Sequence, residues 1–225
     1  MLSDIYFLIS QLIHRYTVYY SSYENCCKAI LAAYGYIGSP HYLINVVSVI
    51  RDLMDILTRI SYSYPESKDI ILNFISKADT IFVVDNLGLP EIMYLAKNNY
   101  IDKFIFLVNP LGNTAAFKEI LGISTLNELA NFSGGHLIRK LDNVVDNYFS
   151  IKCMAINDLI SEMYRKLALR IQNYIFELKP SRILLIADHG YDIEKCSEKL
   201  FRLCHGFKCK RIILSKLLPV LMIHH

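Results

Sequence analysis

The sequence predicts an α/β protein, a three-layer, mainly parallel sheet with helices on both faces, preceded by an N-terminal helical region. Three observations lead there. Short apolar runs stop abruptly on turn residues after Val84, Val108 and Ala187. Segments of helical periodicity lie between those runs, as parallel strands joined by crossovers require. Residues 1–76, by contrast, carry helical periodicity alone, which divides the chain into a helical region and an α/β domain over residues 77–225.

Composition narrows the function classes. With 225 residues, 53% of them hydrophobic, the chain can bury one core and a helical extension. A net charge of +3 is too small for a nucleic-acid footprint, and the longest basic cluster is only Lys208 to Arg211, so a nucleic-acid partner is unsupported. No stretch reaches 18 uncharged apolar residues, and the N-terminus lacks a signal-peptide pattern; both predict a soluble, cytoplasmic protein with no membrane partner. Six cysteines, two adjacent at Cys26-Cys27 and three crowded at Cys196, Cys204 and Cys209, do not form a secreted framework, so reduced thiols are expected.

In the helical region the clearest segment is Tyr42 to Ile60. There Leu43, Val46, Val47, Ile50, Leu53, Met54, Leu57 and Ile60 recur at three- and four-residue steps, with Arg51, Asp52, Asp55 and Arg59 opposite. Gly35, Gly38 and Pro40 break the pattern before it, and Tyr64-Pro65-Glu66 after it. His14 and His41 stand alone and read as core or surface residues.

At Thr80 the period changes. Ile81 to Val84 reads as a strand ending on Asp85-Asn86-Leu87-Gly88, with a short helix from Leu89. Phe104 to Val108 is the second strand, and its loop, Asn109-Pro110-Leu111-Gly112-Asn113-Thr114, leads into a helix that stops at Gly122. Thr114 taken alone is a helix cap, although the same place offers free amides and the helix dipole to an anion. A short strand is expected at His136 to Arg139, a loop or helix start around Asp142 to Asp146, and a long amphipathic helix over 152–178 stopped by Pro180. Then come a buried strand from Ile183, a helix from Ile193 to Leu203 and a final strand from Arg211 to Leu214.

In a parallel sheet the carboxyl ends of all strands share one edge, where ligands bind. Asp188 and His189, read alone, are a helix cap and a surface residue. Joined at that edge by Asp85 and Thr114, they acquire a different meaning. Carboxylates and imidazole hold metal ions, a hydroxyl attacks, and the ions stabilise the attacking and leaving oxygens of an ester.

The stretches Ile81-Phe-Val-Val-Asp85-Asn-Leu-Gly88, Asn113-Thr114-Ala-Ala-Phe-Lys-Glu-Ile-Leu-Gly122 and Leu184-Leu-Ile-Ala-Asp188-His189-Gly190 resemble the alkaline phosphatase superfamily. Within it they look most like PglZ-type domains and cofactor-independent phosphoglycerate mutases, over roughly residues 79–214. The resemblance implies that Asp85, Asp188 and His189 bind one metal ion and that Thr114 is the nucleophile. It implies a divalent metal, zinc or manganese, as one or two ions, and a phosphate ester or similar anionic substrate. For a second ion the family uses an Asp, a His four residues later and a late His. Asp146 and His205 match the first and last, whereas position 150 is Ser; Asp142 offers a substitute carboxylate.

Ser150 keeps an alternative open, a catalytically degenerate PglZ-like module that binds or regulates within a larger assembly. The N-terminal helices would then serve as a cap, as a self-association surface or as the seat of a partner protein. A zinc at Cys196, Cys204, His205 and Cys209 is a third reading. Its spacing is irregular, and on one helix Cys196 and Cys204 would stand about 12 Å apart, too far for tetrahedral ligands. Gly88, Gly112 and Gly190 do not form the Gly-x-Gly-x-x-Gly fingerprint of a dinucleotide-binding fold.

Overall fold

The computed structural model describes residues 8–15, 22–61, 66–98, 101, 103–131, 135–138, 140–177 and 182–224. The predicted breaks at Tyr64-Pro65 and Pro180, and Arg139 of the third strand, lie outside them. Residues 8–15 are helical. Four helices or strands then set the pattern: α1 (Tyr23–Ala33), α2 (Ile44–Arg59), α3 (Glu66–Ile75) and β1 (Thr80–Val84). They are followed by α4 (Leu89–Lys97), β2 (Lys103–Val108), α5 (Thr114–Leu121), α6 (Leu126–Ala130) and β3 (His136–Ile138). Next come α7 (Lys140–Val144), continued by a π-helical turn over Val145–Phe149, and β4 (Met154–Ala155). Helices α8 (Ile156–Met163) and α9 (Leu169–Phe176) are joined through a π turn. Strands β5 (Arg182–Ala187), β6 (Asp192–Lys195), β7 (Leu200–Cys204) and β8 (Leu217–His224) complete the chain.

The main sheet has the order β2-β8-β5-β1-β3, and a second sheet has the order β4-β7-β6. This corrects the expected mainly parallel, three-layer architecture. Only the β1–β3 and β1–β5 pairings are parallel; β8 runs antiparallel to both β5 and β2, and the second sheet is antiparallel throughout. The strand that makes the difference is β8, an apolar run buried along Leu217–Ile223. Pro219 argues against a central strand, since it cannot donate to a ladder; here it stands opposite Phe106 of β2.

Two further expectations fail at the same end of the chain. The predicted helix over Ile193 to Leu203 is the β6–β7 hairpin, in which Ile193 and Leu203 face each other in register. The predicted strand over Arg211 to Leu214 is a turn, because the buried carboxylate of Asp192 accepts from the backbone amides of Ile213, Leu214 and Ser215 and from the Ser215 and Tyr34 hydroxyls. A carboxylate that gathers three successive amides bends the chain locally, whatever the β propensity of the residues. The cysteines differ as well: Cys153–Cys196 and Cys204–Cys209 are disulfides, while Cys26 and Cys27 are buried outside any disulfide. This removes both the expectation of reduced thiols throughout and the zinc site built on Cys196, Cys204 and Cys209.

One contiguous core runs from the N-terminal helices into the main sheet. α2 buries the stripe read from the sequence, Val46, Val47, Ile50, Leu53, Met54 and Leu57. Its end is tied to the start of β8, where the buried Lys216 donates to the carbonyls of Leu57 at 2.9 Å and Ile60 at 2.7 Å. Two carbonyls at a helix C-terminus, where the dipole is negative, thereby gain a cationic partner.

Glu91 of α4 is buried, with the hydroxyls of Tyr23 and Tyr191 donating to its carboxylate. Burial nevertheless wins and pushes its pKa up to about 7 from 4.5. A carboxyl raised in the folded state contributes stability that is complete below its unfolded pKa and is lost as pH rises through about 7. The loss amounts to about 3 kcal/mol at 1.36 kcal/mol per unit. Glu91→Gln should therefore become progressively more stable relative to the parent between pH 5 and pH 8. Denaturant unfolding at both values checks this, and an equal stability difference at the two would refute it.

Candidate metal centre

Although the main sheet is mixed, its topology still gathers the predicted residues. β2 is antiparallel to β8 and β8 to β5, so β2 runs the same way as β1 and β5, and the carboxyl ends of all three open on one edge. Asp85 follows β1, the Asn109–Asn113 loop follows β2, and Asp188-His189 follows β5.

Asp188 has no exposed surface. Its Oδ1 accepts from the amides of Asn86 at 3.1 Å and His189 at 2.9 Å, and its Oδ2 accepts from the Thr114 hydroxyl at 2.7 Å. Asn86 aims its amide there by taking φ +72°, a left-handed conformation that asparagine tolerates better than most residues. Thr114 is the first residue of α5, whose preceding Asn113 caps it by accepting from the Ala116 amide at 3.0 Å. Burial pushes the pKa of Asp188 up to about 6 despite those three donors, and the charge of Asp142 pushes the same way.

His189 is equally buried, and its Nδ1 lies 2.9 Å from the Gly190 carbonyl, which can only accept. Nδ1 therefore carries the proton, and Nε2 of the neutral ring is a bare lone pair. Burial holds the ring below its ordinary pKa and so keeps it neutral. Nε2 has no hydrogen-bond partner among the described residues; it faces Asp188 Oδ2 at 3.5 Å and Asp85 Oδ1 at 3.8 Å. A lone pair turned toward two carboxylates is repulsive unless a cation stands between them. Donors each about 2.1 Å from one ion lie no more than about 4.2 Å apart, so both separations fit. Gly190 is required by close approach: a Cβ there would meet the Leu214 carbonyl oxygen at 3.0 Å and that of Leu87 at 3.2 Å.

A second group adjoins the first. His205 Nε2 lies 2.8 Å from Asp146 Oδ1 and 3.4 Å from Asp142 Oδ1, and the His205 ring stacks on His189 with centroids 4.6 Å apart. Burial and then the neighbouring His189 push His205 below its ordinary pKa. For Asp146 burial opposes ionisation, but hydrogen bonds from Lys208 and His205 prevail and hold it below the usual carboxylate range. The Lys208 ammonium is 2.5 Å from Asp146 Oδ2. Ser150, where the resemblance would place a histidine, has a buried hydroxyl with no hydrogen-bond partner among the described residues.

Acidic and histidine side chains are thus positioned to hold a metal ion in two overlapping groups, Asp85-Asp188-His189 and Asp142-His189-His205, whose donor atoms lie within 4.8 Å of one another. A hollow of about 290 Å³ opens in front of them, lined by Asp85, Thr114, Lys118, Ser124, Thr125, Leu126, Asp142 and Asn143. A larger one, about 710 Å³, lies against α1, α4 and α8 and shares no residue with the donor groups, so it has no part in their chemistry.

Two contributors were missed in the sequence. Asn109 is fully buried, and its amide nitrogen donates to the Asn113 carbonyl at 2.8 Å and the Asp188 carbonyl at 2.7 Å, clamping the threonine loop to the aspartate loop. Lys208 reaches Asp146 across 62 residues of sequence, which no local spacing signals. Among the described residues no helix is long and apolar enough to cross a membrane. Compared with known proteins, the chain matches no family model and no curated sequence.

Proposed function

We propose that the protein is a metal-dependent phosphoesterase of the alkaline phosphatase type, with Thr114 as nucleophile. Asp85, Asp188 and His189 would hold a divalent ion, zinc or manganese. The observation that carries this reading is the unprotonated, unpartnered His189 Nε2 aimed at two carboxylates, with the Thr114 hydroxyl on one of them. A bound ion would supply charge to a phosphoryl oxygen and to the attacking oxygen. The residues do the rest. Thr114 sits on a helix N-terminus, whose free amides and dipole suit an anion. Its proton already has an acceptor in Asp188 Oδ2, 2.7 Å away. Lys118, one turn further along α5, and the hydroxyls of Ser124 and Thr125 line the hollow, which has room for a compact phosphate head group. Asp142, Asp146 and His205 would hold a second ion more weakly, because His189 Nε2 serves one ion at a time and Lys208 already occupies Asp146.

Metal analysis after dialysis against manganese or zinc is expected to find at least one ion per chain, with hydrolysis of p-nitrophenyl phosphate lost in chelator and restored by the ion. No stoichiometric ion would overturn the proposal. Ser150 and the Lys208–Asp146 pair favour a second reading, a PglZ-like module that binds an ion and an anion without turnover. Stoichiometric metal with no hydrolysis of p-nitrophenyl phosphate or its bis ester selects it.

A further inference from the structure

The Cys204–Cys209 disulfide closes a ring around two of the residues that meet at Asp146. Inside Cys204-His205-Gly206-Phe207-Lys208-Cys209, His205 Nε2 lies 2.8 Å from Asp146 Oδ1 and Lys208 Nζ 2.5 Å from Asp146 Oδ2. The same ring touches the other half of the site twice. His205 stacks on His189, and Gly206, at φ +50°, packs so closely on the threonine loop that a Cβ would lie 3.2 Å from Asn113 Cβ.

Just past the ring the chain is fixed again, the Lys210 amide donating to Glu194 Oε1 at 2.9 Å, but inside it the backbone has few anchors. The β6–β7 ladder ends at the pairing of Cys204 with Asp192. Beyond it the backbone makes short-range bonds, Lys208 N to the His205 carbonyl at 3.2 Å and Cys209 N to the Gly206 carbonyl at 3.1 Å. Phe207 is 82% exposed, so its ring anchors nothing. The other disulfide, Cys153–Cys196, joins the segment before β4 to the β6–β7 turn and encloses neither His205 nor Lys208 in a short ring. Cys209 is partly exposed while Cys204 is buried, which makes Cys209 the more accessible of the two residues.

We propose that Cys204–Cys209 is a redox latch on the metal site: closed, it holds the His205 donor beside Asp142 and Asp146; opened, it lets His205 leave, and the loss of that donor outweighs the release of Asp146 by Lys208, so metal binding there weakens. The opening reagent is a dithiol. One of its thiolates attacks Cys209 Sγ, the Cys204–Cys209 bond breaks, and Cys204 leaves as a thiolate that takes a proton. The second thiolate of the reagent resolves the mixed disulfide, so the reagent is oxidised to its own disulfide by two electrons and both cysteines become thiols. The inference rests on the metal reading above and adds that the site answers to thiol redox state.

The test uses Cys153→Ser/Cys196→Ser protein, in which Cys204–Cys209 is the disulfide left to reduce. Manganese titrations are compared before and after reduction with a phosphine, removed by desalting. Closed protein should bind as the parent does, and opening the latch should weaken the weaker binding step about 10-fold or more, the scale on which supporting contacts act at metal sites. Amide exchange over residues 205–209 should quicken in parallel, while that of β1 and β5 stays unchanged and shows that the fold persists. Identical isotherms with open and closed latch overturn the inference and leave the metal reading standing. Absence of binding in both forms overturns the metal reading, and the latch with it. Weakened binding already present in the closed Cys153→Ser/Cys196→Ser protein, with no further change on reduction, also overturns it, because the effect would then belong to general loosening of the hairpin.

Discussion

Thr114→Ala is expected to keep its metal ion and lose phosphate ester hydrolysis by about 10³-fold or more, the scale on which removal of a nucleophile is felt. The two halves of that result come from different atoms. The carboxylate and imidazole donors that converge on one point are Asp85, Asp188 and His189, while the Thr114 hydroxyl donates to Asp188 Oδ2. That hydroxyl makes this one hydrogen bond, at 2.7 Å, and α5 is capped independently by Asn113. Deleting Oγ1 should therefore cost the fold about 1 kcal/mol while removing the hydroxyl that hydrogen-bonds Asp188 among the described residues. Thr114→Ser keeps that hydroxyl on the same helix turn and should recover most of the rate. Steady-state kinetics on p-nitrophenyl phosphate, with manganese titration alongside, check both halves. Turnover by Thr114→Ala equal to the parent would remove Thr114 from the chemistry, and loss of metal in that variant would make it a ligand.

What was legible in the sequence and what was not divides along a physical line. In the main sheet the three strand ends that carry a site residue were readable, because a buried apolar run and the turn after it are local signals: Val84 into Asp85, Val108 into Asn109, Ala187 into Asp188; the end of β7, which leads into His205, was not. The direction of β8 was not, since a strand's neighbours are fixed by contacts such as Leu185 with Leu221, far apart in the chain. The β6–β7 hairpin was hidden for another reason. Its alternation is short, its turn is held by the Cys153–Cys196 disulfide, and its open end by Asp192, whose partners lie 21 to 23 residues downstream. His205 was found through the resemblance alone, and Lys208 and Asn109 were not found at all, because lysine and asparagine in loops are common and only their partners distinguish these two. The Asp85-Asp188-His189 group survived the missed strand β8 because that strand contributes no donor to it.

Asp188→Asn is expected to move metal affinity and metal-free stability in opposite directions. Removing a charged donor should weaken the ion by about 100-fold or more, beyond the range seen for residues that merely support a ligand. The metal-free fold should gain. Asp188 has no exposed surface and a pKa raised to about 6 from 3.8, chiefly by burial. A carboxyl raised in this way contributes stability that is complete below pH 3.8 and is lost as pH rises through about 6. At pH 7 the buried carboxylate therefore costs up to about 3 kcal/mol, from 1.36 kcal/mol per unit, which a neutral amide avoids. The amide can also meet the hydrogen bonds if the Thr114 hydroxyl turns from donor to acceptor: its oxygen stays on the Asn86 and His189 amides, and its nitrogen donates to Thr114 Oγ1 and to the His189 Nε2 lone pair now 3.5 Å from Oδ2. In chelator the variant should melt above the parent at pH 7 and beside it at pH 4. Manganese at 100 times the dissociation constant should then stabilise the parent by about 2.7 kcal/mol and the variant hardly at all, so that most of the variant's advantage disappears. A variant less stable than the parent in chelator at pH 7, or raised equally by manganese, would show that Asp188 serves the fold and that the cost of burying its charge has no functional return.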